Sequence, residues 1–210
     1  MTYIIEVCCT GNLNRSAMEK VIGNKVVQDE NLDDKIRFIS SGTRADPQWD
    51  NVLPYKKVVS ILGKAVKSGL MKETRIDKES YENDPGYRVA IQSQVHTALK
   101  MLRPIEEALR TAALYQIGLE YNGRRSQTVA RDDVSLLLGN EKKHVEHAKA
   151  IYEGKEKQPE ISHLNEYAGV PGEIADCLGN LDVNVYINAR KEIEHIMPKV
   201  VDRFRQEHSL

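Results

Sequence analysis

The plan of this chain is set at its N-terminus. An apolar run, Tyr3-Ile4-Ile5-Glu6-Val7-Cys8, passes into Cys9-Thr10-Gly11-Asn12-Leu13-Asn14-Arg15-Ser16 and then into a helix-like pattern from Ala17. A strand that turns tightly into a helix aims several backbone N–H groups at one point, and the helix dipole adds positive potential there, so the turn is built for an anion. Gly11 lets the backbone approach a ligand closely, and Asn12 and Asn14 tolerate left-handed backbone and can lock a turn.

Two side chains give this loop a chemistry. Cys9 lies at its mouth, where the field that attracts an anion also favours a thiolate, and Ser16 can donate to the sulfur. Arg15 offers a planar fork of donors matched to two phosphoryl oxygens. Sulfur attacking phosphorus in line would give a phosphocysteine, with the charge on the equatorial oxygens met by Arg15 and the loop amides. The Cys-x5-Arg spacing alone is common, and a cysteine at a strand end is most simply a small buried apolar side chain. The preceding strand, the Gly-Asn turn, Ser16 and the following helix together argue for the nucleophile. Cys8, inside the strand, reads as core.

The segment Val7–Met18 resembles the signature of low-molecular-weight protein tyrosine phosphatases, V-C-x-G-N-x-C-R-S-P-M, in a bacterial- or archaeal-type member carrying a helical insertion. The resemblance makes Cys9 the nucleophile and Arg15 the phosphate clamp. Thr10, Gly11, Asn12, Leu13, Asn14 and Ser16 become the phosphate-binding and loop-supporting positions. Ile39-Ser40-Ser41-Gly42-Thr43 is similar to that family's second strand and turn, and Trp49 to an aromatic lining its substrate groove. Ile174-Ala175-Asp176-Cys177-Leu178-Gly179 is similar to its closing segment, which places Asp176 as general acid. Asp84, in Asp84-Pro85-Gly86-Tyr87, competes for that role, although Asp-Pro-Gly is also a common turn. Asp46-Pro47 reads as a turn beside the groove. The chain departs from the signature at Asn14 (a second cysteine), Ala17 (a proline) and Cys177-Leu178 (a proline and an aromatic). Leu13 matches the bulky branched residue of tyrosine-directed members, where a smaller threonine marks the arginine-phosphate branch.

The resemblance implies a three-layer α/β/α fold with a four-stranded parallel sheet, spanning 1–71 and 124–210. The pattern agrees: strands at about 3–8, 35–40, 134–138 and 160–164 alternate with helices at about 15–29, 53–68, 142–152 and 182–206, with a groove loop at 41–51. Val134-Ser135-Leu136-Leu137-Leu138 is the continuous apolar run of a strand covered on both faces. Val185, Ala189, Ile193, Ile196, Val200 and Phe204 form a helical stripe. Right-handed crossovers would put Cys9 and Asp176 at the same carboxyl edge of the sheet.

Residues 72–123 form the insertion. Lys72–Tyr87 is polar, loop or short helix. Val89–Tyr121 is helical, with Ile91, Val95, Ala98, Leu102, Ile105, Leu109, Ala112 and Ile117 as its apolar stripe, kinked or split at Pro104. A helical hairpin packed on the main domain, a self-association surface giving a homodimer, and a lid over the phosphate site are the three roles open to it; the first two are simpler. Arg124-Arg125 and the histidines of His144-x-x-His147 read as surface groups, and no metal-ligand spacing or cofactor motif is present.

With 30 basic and 31 acidic residues, the chain offers no electrostatic reason to invoke nucleic acid or a membrane. Three cysteines without a disulfide framework, and no signal-peptide pattern, point to a cytoplasmic setting. Cys177 reads as a buried thiol, with reversible pairing to Cys9 as the alternative. The expected function is hydrolysis of phosphomonoesters, phosphotyrosine in proteins foremost or small aryl phosphates, without metal or cofactor. The alternatives are arsenate reduction on the same scaffold and a non-catalytic phospho-ligand binding protein.

Overall fold

The computed structural model describes residues 2–43, 52–123 and 125–210. Its elements are β1 (Tyr3–Cys9), α1 (Arg15–Asp29), β2 (Ile36–Gly42), α2 (Tyr55–Lys67), α3 (Lys78–Asn83), α4 (Pro85–Tyr115), β3 (Val134–Gly139), α5 (Lys142–Tyr152), β4 (Glu160–His163), α6 (Leu164–Tyr167) and α7 (Val183–His208). The four strands form one sheet in the order β2-β1-β3-β4, and every pairing is parallel. Cys9 lies opposite Gly42, and Cys8 lies between Ser41 and Gly139.

Alternation along the strands divides the core. Ile5, Val7, Leu136 and Leu138 face α1 and α7, in a cluster that includes Met18, Tyr186, Ile193, Met197 and Phe204. Cys8, Val134 and Leu137 face the opposite way, toward Ala148 and Tyr152 of α5. Each fully buried large apolar side chain contributes about 1.5–3 kcal/mol by leaving water, so α7, which buries seven such side chains, fastens one layer to the sheet. The expected three-layer α/β/α architecture with a four-stranded parallel sheet is therefore present. Chain order reverses about β1, with β2 on one side and β3 on the other, so the loops after β1 and β3 bound a crevice at the sheet's carboxyl edge.

Segment 72–123 differs from its sequence-based description in several ways. α4 starts at Pro85 rather than Val89, because Asp84 is its N-cap: the carboxylate accepts from the backbone N–H groups of Gly86 and Tyr87, and Pro85 occupies the first turn. The helix also runs through Pro104 as one element. Both Pro104 and Lys100, whose carbonyl loses its partner, are exposed, so water can satisfy that carbonyl. The apolar stripe holds through Ile91, Val95, Ala98 and Leu102, which pack with α2 and Tyr81 in a second core. Beyond Leu102 the buried face shifts to Glu106, Arg110, Ala113 and Leu114, leaving Ile105 and Leu109 half-buried and Ala112 exposed. Ala113 and Leu114 join the main core, so α4 bridges both clusters. Among the described residues no helix is long and apolar enough to cross a membrane.

Candidate active site

The loop from Thr10 to Asn14 turns out of β1 into α1 at the crevice. Its left-handed residue is Asn12, at φ 46°; Gly11 and Asn14 keep negative φ, so Gly11 contributes space rather than handedness. Asn12 is fixed by Nδ2 donating to the carbonyl of Ser40 (3.2 Å) and by Oδ1 accepting from Ser16 Oγ (3.1 Å). Beneath the loop sits Gly42. A Cβ there would lie 2.6 Å from Asn12 N and 2.8 Å from Thr10 O, so β2 can support the loop only with glycine at this point. Among the described residues, none accepts a hydrogen bond from the backbone N–H groups of residues 11 to 17. These are the orphan donors of a helix start and its approach, the groups that a helix N-terminus offers to an anion.

Cys9 lines the cleft at this point, and its Sγ is 3.0 Å from Ser16 Oγ. Cys9 is itself 4% exposed, whereas Cys8 is fully buried away from the cleft, 3.1 Å from Thr128 Oγ1, and burial pushes its thiol up to about 12. Arg15 is 3% exposed. It donates to Glu141 (2.6 Å) and to the carbonyl of Ile174 (3.3 Å), and its Nη2 lies 3.3 Å from Asp176 Oδ1. Burial opposes its charge, but Asp176, Cys9 and Glu141 outweigh that and raise its pKa. Asp176 also accepts from the backbone N–H of Leu178 (3.2 Å), and both residues line the cleft. Asp84 does not line it; its carboxylate is spent on the cap of α4. Trp49, Asp46, Pro47 and Arg124 lie outside the described residues.

Cys177 is fully buried, with its thiol directed at the carbonyl of Ala175 (3.7 Å) and pushed up to about 12 by burial and by Asp176. That is the buried thiol expected of it, and not an exposed relay of the kind arsenate reduction needs.

Several residues at the site carry no signal in the Cys-x5-Arg pattern. Glu141 and His144 follow β3 and form the reciprocal N-cap of α5. Half-burial opposes the charge on Glu141, yet Lys143 and Arg15 hold it ionised, down at about 2. His144 was expected at the surface and is instead wholly buried. Its Nδ1 accepts from the backbone N–H of Glu141 (3.1 Å), which leaves Nε2–H to donate to Thr10 Oγ1 (2.9 Å). Burial keeps its pKa down at about 4, so it is a neutral strut under the loop. The adjacent Glu19, on α1, is buried against Asn140 (2.9 Å) and raised to about 7 by desolvation. The rule that ligands sit beyond the carboxyl ends of parallel strands would have marked Gly139-Asn140-Glu141.

The other contributors come from α4 and the segment before β3. Arg110 Nη1 donates to the carbonyl of Leu13 (2.6 Å), with its guanidinium over the Tyr121 ring (4.6 Å). Glu106 accepts the backbone N–H of Gly179, just beyond Asp176. Arg125, expected as a solvated arginine, is half-buried and donates from Nε to the carbonyl of Gly11 (2.7 Å). His96, Leu99, Lys100 and Arg103 complete the cleft wall facing Cys9, Leu13 and Leu178.

No family model and no curated protein matches the chain. Solved structures do. A protein tyrosine phosphatase from Entamoeba histolytica, crystallised with Hepes in the active site, superposes with a TM-score of 0.62 at 11% identity, over 100% of both chains. A YwlE arginine phosphatase mutant with a phosphorylated active site serine gives 0.59 at 16% identity, over 98% of each chain. A low molecular weight protein tyrosine phosphatase from Bacillus subtilis gives 0.55 at 15% identity, over 98% of this chain and 99% of its own. A parallel sheet ordered β2-β1-β3-β4, with an anion-ready loop after β1 and end-to-end superposition on these proteins, is the fold of the low-molecular-weight protein tyrosine phosphatases.

Proposed function

We propose that this protein is a phosphatase that hydrolyses phosphomonoesters through a phosphocysteine, with phosphotyrosine in proteins as its preferred substrate. One observation carries the reading: Cys9 Sγ, supported by Ser16 at 3.0 Å, shares a cleft with the unpaired loop amides, Arg15 and Asp176. A phosphoryl group seated on the amides of residues 11 to 17 and on Arg15 presents phosphorus to sulfur. The Cys9 thiolate attacks, the bond from phosphorus to the ester oxygen breaks, and Asp176 gives that oxygen its proton. Asp176 then takes a proton from water as it attacks phosphorus, the S–P bond breaks, and phosphate leaves with the thiolate restored. Arg15 pairs with Asp176 at 3.3 Å in the unliganded site. A dianionic phosphoryl group takes over the guanidinium, and the freed Asp176 carboxylate takes up a proton from solvent, which it then gives to the leaving oxygen.

The preference for an aryl ester rests on Leu13, which is 6% exposed and walls the cleft with Leu99 and Leu178. An apolar wall suits a phenyl ring better than the charged guanidinium of phosphoarginine. Both kinds of phosphatase share this fold, so the test has two parts. The protein should hydrolyse 4-nitrophenyl phosphate with chelator present, and Cys9→Ser should abolish this; full activity in Cys9→Ser refutes the mechanism. Phosphotyrosine peptides should be cleaved in preference to phosphoarginine peptides, and the reverse order overturns the substrate assignment.

A further inference from the structure

The face of α4 turned toward the catalytic loop carries an unusual charge pattern. His96, Lys100 and Arg103 occupy successive turns, four and three residues apart, so they fall on one side of the helix. All three line the cleft that contains Cys9. Across it stands Arg125, fixed by Nε on the carbonyl of Gly11, with Nη2 only 3.5 Å from where a Cβ on Gly11 would stand. Like charges gathered on one face repel, and a solvated helix normally interleaves them with carboxylates at the same spacing.

Here the compensation is only partial: Glu106 and Glu107 stand three and four residues beyond Arg103, and Arg103 is felt at Glu106, but no carboxylate stands at either spacing from Lys100. Among the described residues neither the Lys100 nor the Arg103 side chain makes a hydrogen bond or ion pair, although Lys25, Lys78, Arg190 and Arg203 all pair with acids one turn away. The carboxylates that share the cleft are engaged: Asp176 with Arg15, and Glu106 with the Gly179 amide. The mutual field is felt locally. Partial burial, then Lys100 and Arg103, lower the pKa of His96, while burial and Arg103 lower that of Arg125 against the opposing pull of Cys9, Glu107 and Glu106. Yet the anion seat above Cys9 already has Arg15 and its amides, so these further cations exceed what one phosphoryl group uses.

We propose that Lys100 and Arg103 of α4, with Arg125 opposite, form a second anion subsite, so that the substrate carries two phosphoryl groups: one over Cys9 and one held at the cleft mouth. This deepens the phosphatase reading and rests on it for the first phosphoryl group. The shared chemistry is a second dianion a short distance from the scissile ester, whether on a small bisphosphate or on a neighbouring residue of a phosphopeptide. Arg103 and Arg125 can grip its oxygens as planar forks, and Lys100 adds a point charge.

The test reads binding and needs no turnover. Alkane bisphosphonates of increasing chain length are titrated calorimetrically against the matching monophosphonates. In a second arm, a phosphotyrosine peptide is compared with and without an adjacent phosphoserine. At low salt at least one bisphosphonate or the doubly phosphorylated peptide should bind about tenfold more tightly than its single-anion partner, and the gain should shrink as salt rises. In the double variant Lys100→Ala/Arg103→Ala the gain should fall to about twofold or less, and Lys100→Arg should retain it. Gain in the first arm assigns a small bisphosphate, and gain in the second a phosphopeptide. No gain in either arm, or a gain that survives the double variant, overturns the subsite. Failure to hydrolyse any aryl phosphate would instead count against the phosphatase reading, leaving this comparison to stand or fall by itself.

Discussion

Replacing Gly42 with alanine is the sharpest probe of how the loop is held. The added Cβ would sit 2.6 Å from Asn12 N, 2.8 Å from Thr10 O and 2.9 Å from Gly11 C. Ordinary carbon contacts begin near 3.5 Å, so loop and strand must part by roughly 0.6–0.9 Å. All three obstacles are backbone atoms, and no side chain can swing aside to absorb the strain. Gly42 is also pinned on its other side, donating to the carbonyl of Ser126 (2.9 Å) and accepting from Thr128 N (3.0 Å). Overpacking of this kind costs about 1–3 kcal/mol, and for a chain of this length each kcal/mol lowers Tm by about 2–4 °C. The anion seat should suffer as well. Loop amides moved by most of an ångström lose hydrogen bonds to a charged ligand at about 1.5–3 kcal/mol each, so phosphate or vanadate affinity should drop by at least about tenfold. Gly63→Ala is the control: nothing lies within 4 Å of its Cβ position on α2, so it should be neutral or stabilise by up to about 1 kcal/mol. Urea denaturation and vanadate titration read the two effects. A Gly42→Ala protein with wild-type stability and wild-type vanadate affinity would show that the loop does not rest on the end of β2.

Two titrations test the electrostatics. Burial raises Glu106 from 4.5 to about 7, so the folded protein holds that proton more tightly than the unfolded chain; the stability it contributes is present at low pH and lost as pH rises from 4.5 through 7. The stability difference between wild type and Glu106→Gln should therefore change by about 3 kcal/mol between those limits, with wild type losing ground, and a flat difference refutes the shift. Glu19 changes in the same sense, so the wild-type slope should exceed what Glu106→Gln removes. His144, held at about 4, should show in imidazole nitrogen NMR a neutral ring protonated on Nε2 down to about pH 5, and titration near 6.5 would refute its burial as a strut.

The part of this molecule legible in its sequence is the part written in short-range pattern. β1, its turn and α1 declare themselves because strand periodicity, Gly11-Asn12 and the helix start are contiguous. β3 shows as an unbroken apolar run because both faces are covered. The partners that complete the site were harder to see, because each looks ordinary in its own neighbourhood. His144 sits among lysines and a glutamate, and only the β3 carboxyl edge brings it to Thr10. Glu106 and Arg110 interrupt an apolar stripe, so a periodicity search steps around them to Ile105 and Leu109; their burial is tertiary, set by the carbonyl of Leu13 and the amide of Gly179. Asp84-Pro85 is ambiguous in sequence because an aspartate before proline suits an acid motif as well as a turn, and its carboxylate on the amides of Gly86 and Tyr87 shows it capping the thirty-one-residue helix behind it.

α4 has a mechanical consequence. It is seated in two separate cores, and between those anchors it grips the end of the Thr10–Asn14 loop through Arg110 and the Asp176 segment through Glu106. A partner or modification that levers either end by a fraction of an ångström would change the spacing between the Cys9 loop and Asp176 without touching the sulfur.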